Sequence, residues 1–432
     1  MKIYINNSYS VVDGFTSHEF KALRELLSYI PKSSQSYFSG KAYHQKKYLI
    51  SQRGEFPTGL LPKVLALYPK TPCIDLRGPP PFEDWIFNLS LPHNPYPEQL
   101  SAVEAARASN RGIIVAPTGT GKSLIITLLI HKLQVPTLVV VPSLELKHQL
   151  TQSLTKAFGS MKHLRVENVD ALDHKTPIPG IKALIIDEFH HSAAATYQKL
   201  NKYAWAPIFY RFGLTATPFR SDHNENLLLE GVLSNEVYRI RYQDAVKAKR
   251  IVPMEAYYLE LPKTEVNGHT WSQVYSELVT NNEHRNQMIA LLLARLTAQN
   301  KATLCLVKEI KHGQALSNLS GVLFANGQDG MSRELIASFN SEESRSLIGT
   351  VGVLGEGVDS RPAEFVLIAG LGRSKTQFMQ NVGRGFRLYP GKESCKIIIF
   401  KDPSHKWTLQ HYKEQCKILK EEYGVIPVRI EL

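Results

Sequence analysis

Short apolar runs recur along the chain, and the period of their polar breaks separates strands from helices. Ile3 and Ile5 alternate with polar neighbours and predict a first strand. Ser17 to Ile30 carries Phe20, Leu23, Leu26 and Leu27 on one helical face, with Ser17 as the expected N-cap. Leu60 to Tyr68 reads as another short helix, and Gly78-Pro-Pro-Pro81 then breaks regular structure.

From about 90 to 220 the pattern changes to β-branched runs alternating with helices. Ile113–Val115, Thr137–Val141, Ala183–Ile186 and Phe209–Leu214 are apolar on both faces, as buried parallel strands are. Gln99 to Ala108 and Leu144 to Phe158 have helical spacing. Tyr238 to Arg250 and Pro253 to Leu261 read as a crossing segment. Trp271 to Leu296 reads as mostly helical, with a break near Asn281. A second alternation follows. Strands are expected at Thr303–Val307, Val322–Phe324, Ser346–Thr350, Phe365–Ala369 and Lys396–Phe400, with helices near 311–319, 331–339, 376–383 and 404–422. The fold class is therefore α/β: two tandem parallel-sheet domains plus a small α+β N-terminal accessory domain. The expected divisions are 1–80, 81–250 and 251–432.

At 432 residues the chain exceeds one ordinary core. Its 43% hydrophobic and 21% charged content is that of a globular protein. The net charge of +12 favours a polyanionic partner, most simply nucleic acid. Cys73, Cys305, Cys395 and Cys416 form no C-x-x-C pair, so neither a zinc ribbon nor a disulfide framework is indicated. The start has no long apolar stretch, and every apolar run is far short of the ~20 residues that span a bilayer. A cytoplasmic protein with no membrane partner is expected.

One stretch organises the candidate chemistry: Ala116-Pro-Thr-Gly-Thr-Gly-Lys-Ser123, between an apolar strand and a helix. In that context a glycine-rich loop cradles phosphate, because its backbone N–H groups curl around the anion and the helix start adds positive charge. Pro117, Thr118, Gly119, Thr120 and Gly121 form the cradle. Lys122 would reach the β- and γ-phosphates, and Ser123 would bind Mg²⁺. Ala116 stands where the first glycine usually does. The strand Ala183–Ile186 ends in Asp187-Glu188. There Asp187 would hold Mg²⁺, and Glu188 would orient or activate water. His190-His191 is not read as a metal pair, since adjacent side chains diverge.

These motifs resemble those of superfamily 2 helicases, in which an alanine at the Ala116 position is normal. Asp187-Glu-Phe-His190 is similar to their motif II, and Arg211-Phe-Gly-Leu-Thr-Ala-Thr-Pro218 to motif III. Gly349 to Asp359 resembles motif V, and Gln377 to Arg387 motif VI. Pro95-Tyr-Pro-Glu-Gln99 resembles the adenine-reading Gln motif, and Val139 to Leu146 motif Ia. They stand in family order over roughly 95–390.

The resemblance implies two RecA-like domains that use ATP and Mg²⁺. Gln99 would bond adenine, with Tyr96 nearby. Gln380, Arg384 and Arg387 would join Lys122, Asp187 and Glu188 in catalysis, and Gly357 and Asp359 would stand at the nucleotide. Pro142, Ser143 and Thr350 would touch nucleic-acid backbone. Within the superfamily the layout is most similar to phage recombination helicases of the UvsW type. That implies a monomer acting on single-stranded, forked or four-way-junction DNA in recombination, repair or replication. An RNA helicase and a duplex translocase share the motor motifs and stay open. Phe38 to Tyr48 interleaves aromatics with Lys41, Lys46 and Lys47. It reads equally as a nucleic-acid surface or as a solvated strand pair.

Overall fold

The structure is a computed structural model. It describes residues 1–30, 36–38, 41–43, 46–82, 89–190, 195–217, 223–354, 360, 362–370, 372 and 374–432, with backbone alone at 36–38, 41–43 and 223–225. Contacts divide the chain into unit 1, Met1–Ala116 with Gly121–Ile240, and unit 2, Pro117–Thr120 with Arg241–Leu432.

Unit 1 begins with short strands: β1 (Lys2–Ile5), β2 (Tyr9–Asp13), β3 (Ser28–Tyr29), β4 (Ser36–Phe38), β5 (Lys41–Tyr43), β6 (Lys47–Tyr48), β7 (Glu55–Pro57) and β8 (Cys73–Asp75). Four make a sheet in the order β7-β2-β1-β8, while β3 pairs with β6 and β4 with β5. Ile3, Val12, Leu23, Phe56, Leu60 and Val64 bury a small core of their own. The first helix spans Ser17–Leu26, and its N-cap is Thr16 rather than Ser17. Thr16 Oγ1 accepts from the Glu19 N–H at 3.2 Å, and Glu19 Oε2 accepts from the Thr16 N–H at 2.7 Å. This reciprocal pair outbids a lone serine. The helix stops early because Ser28 and Tyr29 pair with Tyr48 and Lys47.

The rest of unit 1 holds β9 (Arg111–Val115), β10 (Thr137–Val141), β11 (Leu164–Asn168), β12 (Ala183–Ile186), β13 (Tyr210–Thr215) and β14 (Glu236–Arg239). They form a parallel sheet ordered β11-β10-β12-β13-β9-β14. Ile113, Val115, Leu138, Val140, Leu184 and Ile186 pack with Trp205, Leu229 and Leu233. The helix Leu144–Phe158 is bounded as its residues dictate: Ser143 Oγ accepts from the Leu146 N–H, and Gly159 ends it with φ +69°.

A charged residue joins the two parts of unit 1. Arg211, on β13, is fully buried. Its guanidinium donates to Ser8 Oγ (2.6 Å), Asn201 Oδ1 (2.5 Å), the Ile208 carbonyl (3.0 Å) and the Trp205 carbonyl. Arg111 donates to the Asn7 carbonyl at 3.1 Å, and burial lowers its guanidinium to about 9. Gly59 lies so close to the backbone of Glu230 and Gly231 that a Cβ would meet the Glu230 carbonyl oxygen at 2.0 Å. The N-terminal segment is thus built into unit 1 through hydrogen bonds and close backbone packing.

Unit 2 holds β15 (Met254–Glu260), β16 (Thr303–Val307), β17 (Phe324–Ala325), β18 (Ser346–Thr350), β19 (Phe365–Ile368), β20 (Cys395–Lys401) and β21 (Val428–Ile430). They form a parallel sheet ordered β17-β18-β16-β19-β20-β15-β21. The expected crossing segment is corrected here. Glu236–Arg239 is a strand of the first sheet, and Met254–Glu260 is paired along its whole length with β20 in the second. The fold class read from the sequence, two tandem parallel-sheet α/β domains with an α+β N-terminal segment, is the one observed. No helix among the described residues is long and apolar enough to cross a membrane.

Candidate active site

β9 delivers the chain to Ala116, which is fully buried. Gly119 and Gly121 follow with φ of +91° and +82°, the region that favours glycine. At Gly121 a Cβ would also stand 2.6 Å from Gln99 Nε2, so a side chain there would have to displace that amide. Thr120 folds back on the Pro117 carbonyl oxygen through both its N–H (3.3 Å) and its hydroxyl (2.7 Å). The helix Lys122–Leu133 then starts without any side-chain cap. An uncapped helix start behind a glycine turn presents N–H groups and partial positive charge to an anion. Lys122 and Ser123 open that helix.

The carboxylates come from β12. The Asp187 N–H donates to the Val140 carbonyl oxygen at 2.9 Å, continuing the sheet one residue beyond the strand. Asp187 Oδ1 accepts from the Glu188 N–H at 2.9 Å. Glu188 has φ +46°, an uncommon conformation for a residue with a Cβ. Its carboxylate is flanked on both sides: Lys122 Nζ lies 3.2 Å from Glu188 Oε1, and His190 Nδ1 lies 3.4 Å from Glu188 Oε2.

His190 extends the chain of contacts. It is 4% exposed, with Nδ1 3.1 Å from Thr215 Oγ1 at the end of β13. Thr215 Oγ1 donates to the Thr217 carbonyl at 3.2 Å and accepts from the Thr217 N–H at 3.1 Å. With that hydroxyl hydrogen committed, His190 Nδ1 must carry its own hydrogen, which also suits the carboxylate it faces. Lys122, Glu188, His190, Thr215 and Thr217 therefore link the phosphate loop, the β12 turn and the β13 turn. Sequence reasoning left His190 and Thr215 out of the site. Both lie in quoted motifs, but only the fold reveals that the ends of β12 and β13 are neighbours.

The other expected residues fall as follows. Gln99 is 1% exposed, and its Oε1 accepts from the Tyr96 N–H at 2.9 Å, which fixes the amide. Tyr96 stacks on His93 with centroids 5.2 Å apart. Pro142 and Ser143 follow β10, and the Ser143 hydroxyl is spent on its helix cap. Lys46 is paired with Glu25, and Lys47 is exposed. The Lys41 side chain, His191, Pro218, Gly357 and Asp359 lie outside the described residues.

In unit 2, Thr350 ends β18 and is 7% exposed. Gln380 lies on the helix Lys375–Gly383, and Arg384 is its mostly buried C-cap. The Arg384 carbonyl oxygen accepts from Ser360 Oγ at 3.2 Å, and that of Arg387 from Lys392 Nζ at 3.2 Å.

Two parallel sheets in series, a glycine phosphate loop and a paired carboxylate turn define a nucleotide-hydrolysing motor. More narrowly, the chain is similar to ATP-dependent helicases of superfamily 2. The family model of the type III restriction enzyme res subunit matches residues 92–180 and 163–220. A protein named as a helicase from Sulfolobus islandicus filamentous virus is 24% identical over 381 residues, 76% of this chain and 67% of its own length. The DNA 3'-5' translocase XPB2 of Sulfurisphaera tokodaii is 34% identical over 142 residues. That match covers 30% of this chain and only 32% of the translocase. The ATP-dependent DNA helicase uvsW of Enterobacteria phage T4 is 20% identical over 365 residues, 73% of this chain and 71% of its own. In fold, the chain is similar to Saccharomyces cerevisiae Dbp5 in its structure with RNA and ADP BeF3. The TM-score there is 0.56 at 15% identity, over 78% of this chain and 90% of that one.

Proposed function

We propose that this chain hydrolyses ATP to move along DNA and part its strands, with forked and four-way-junction DNA as preferred substrates in recombination, repair or replication. The observation that carries the motor reading is the row of contacts from Lys122 through Glu188 and His190 to Thr215. It ties Lys122 of the phosphate loop to the β13 turn, which the loop also meets where the Ala116 N–H donates to the Thr215 carbonyl oxygen at 2.9 Å. A change at the nucleotide phosphates therefore has a physical route into the β13 turn. The names of XPB2 and uvsW favour DNA as the track, and the net charge of +12 suits either nucleic acid.

The residues fit the cofactor. The left-handed glycines leave the loop backbone open to phosphate, Ser123 directly follows Lys122, and the Glu188 carboxylate lies 3.2 Å from the Lys122 ammonium. Ser123 and Asp187 would hold Mg²⁺, which neutralises phosphate charge when bound. Lys122 binds the β- and γ-phosphates. Glu188 orients the attacking water and draws its proton, while Lys122 and His190 hold the carboxylate in place. Gln99 reads adenine with Tyr96 beside it. The resemblance gives Gln380, Arg384 and Arg387 a part in hydrolysis and Gly357 and Asp359 a part in nucleotide binding, arginine being always charged and forked for phosphate. Pro142, Ser143 and Thr350 touch the nucleic-acid backbone.

The deciding experiment compares ATP turnover with single-stranded DNA, duplex, four-way junction and RNA. Strongest stimulation by branched DNA, with strand displacement, is the expected result. Stimulation by RNA alone would make it an RNA helicase. Duplex stimulation without displacement would make it a translocase.

A further inference from the structure

The segment from Arg384 to Arg387 leaves the helix Lys375–Gly383 in unit 2 as a tight turn. The Arg384 N–H donates to the Asn381 carbonyl oxygen at 3.4 Å. The Gly385 and Phe386 N–H groups donate to the Val382 and Gly383 carbonyl oxygens at 3.2 Å each. Bonds of this length stand at the long end of the ordinary range, so by themselves they leave the turn free to rock. The Phe386 carbonyl oxygen accepts from the Val252 N–H at 2.9 Å, a firmer anchor. A Cβ at Gly385 would run into Cys395 Sγ, so the backbone lies close against the first residue of β20.

Between the two arginines, Phe386 is buried in a triangle of rings. Its centroid lies 5.1 Å from that of Tyr242 and 5.5 Å from that of Tyr423. Tyr242 and Tyr423 meet edge to face at 5.1 Å. These separations are those at which aromatic pairs attract beyond their area burial. The three rings come from distant parts of the chain. Tyr242 opens the helix Tyr242–Lys247, two residues after unit 1 ends at Ile240. Its hydroxyl oxygen accepts from the Met254 N–H at 2.7 Å, which ties the ring to the start of β15. Tyr423 ends the last helical turn of the chain, and Gly424 stops it with φ +72°. Phe386 is the one large apolar side chain between Arg384 and Arg387, so the triangle sets how the turn is rotated. That rotation decides where both guanidinium groups can reach.

We propose that Phe386, Tyr242 and Tyr423 are positioning residues for ATP hydrolysis, their ring triangle fixing the rotation of the turn that carries Arg384 and Arg387. The proposal rests on the reading of those arginines above and adds the device that places them. Tyr242 also fastens the turn to the stretch by which the chain enters unit 2.

The test is a double-mutant cycle on the full chain. Turnover number, ATP KM and unfolding midpoint are measured for Tyr423→Leu, Arg384→Ala and the two combined, well below the midpoint of each. Tyr423→Leu should lower the turnover number about tenfold, since misplacing a catalytic group by about 1 Å can cost roughly 10². The ATP KM should stay near the wild-type value. In the Arg384→Ala background the same change should cost far less, because only Arg387 is left to misplace. Tyr423→Phe keeps the ring and should restore turnover. A triangle that is merely core predicts otherwise: a lower midpoint, with the same proportional loss of turnover whether or not Arg384 is present. That result overturns the proposal, and so does wild-type turnover in the folded Tyr423→Leu variant. If Tyr423→Leu does not fold, Phe386→Leu, which keeps an apolar side chain in the triangle, runs the same cycle with the same expectations. Wild-type turnover in Arg384→Ala would instead sink the arginine reading itself, and the proposal with it.

Discussion

At the scale of single residues, the site is a row of short contacts whose members the sequence names unevenly. Lys122, Asp187 and Glu188 are legible because loop and strand end place them by spacing alone. His190 and Thr215 are not, because nothing local says that the ends of β12 and β13 adjoin. If Lys122 serves the phosphates and not the nucleic acid, as proposed, Lys122→Ala should abolish ATP turnover and leave nucleic-acid binding largely intact. Turnover near the wild-type rate would remove Lys122 from the site. Thr215→Val keeps shape and burial but deletes the hydroxyl that joins His190 to Thr217. The orphaned N–H groups should cost about 1–3 kcal/mol of stability in denaturant titrations. Stimulation of ATP turnover by DNA should fall further than turnover without DNA. An equal fall in both would make this row of contacts a scaffold rather than a link.

At the scale of elements, legibility follows burial. Thr137–Val141, Ala183–Ile186, Thr303–Val307 and Ser346–Thr350 were readable to the residue because central parallel strands are apolar on both faces. β11, β14 and β21 sit at sheet edges, where half the side chains meet water, so their apolar signal is thin. Arg211 is the extreme case. A charge inside a strand sequence argues for solvent, yet here it is a buried peg with four acceptors. Desolvation drives its guanidinium well below the ordinary arginine value, with Arg111 and Arg77 adding to the effect, so its hydrogen bonds must carry the cost. Arg211→Met fills much of the space but orphans Ser8, Asn201 and two carbonyls. Unfolding of unit 1 should become easier by about 3 kcal/mol or more. For a unit of this size that is a fall on the order of 10 °C in the melting midpoint. A change within one degree would mean the peg contributes little.

At the scale of the whole molecule, two features bear on what the motor does with its substrate. Arg384 stands as a helix C-cap in unit 2, so its backbone is fixed before any ligand arrives. Arg384→Ala should slow hydrolysis by about 10² or more, as loss of an arginine that meets transition-state charge does. Nucleotide affinity should change far less. Equal loss of affinity with an unchanged turnover number would make Arg384 a ground-state binder.

The second feature is the N-terminal segment. Sequence alone suggests removing residues 1–80 to ask whether that segment confers a preference for branched DNA. The fold argues against that experiment, because deletion would take Ser8 from Arg211 and Asn7 from Arg111 and uncover the close packing at Gly59. Loss of fork unwinding in the truncated chain could then be loss of unit 1. Lys46 and Lys47 lie on the exposed side of the same segment, Lys46 turned toward Glu25 and Lys47 in solvent. Replacing both with alanine touches none of the buried joints, so the fold should survive with an unchanged unfolding midpoint. If the segment grips duplex ahead of the motor, fork affinity should fall and single-strand affinity should not. The salt slope on forks should drop by about 0.9 for each phosphate that is no longer neutralised. Glu25 already neutralises Lys46, so the drop should be nearer that of one phosphate than of two. An unchanged fork-to-single-strand affinity ratio would return the stretch to a solvated strand pair. The branched-substrate preference would then have to come from the two parallel-sheet units.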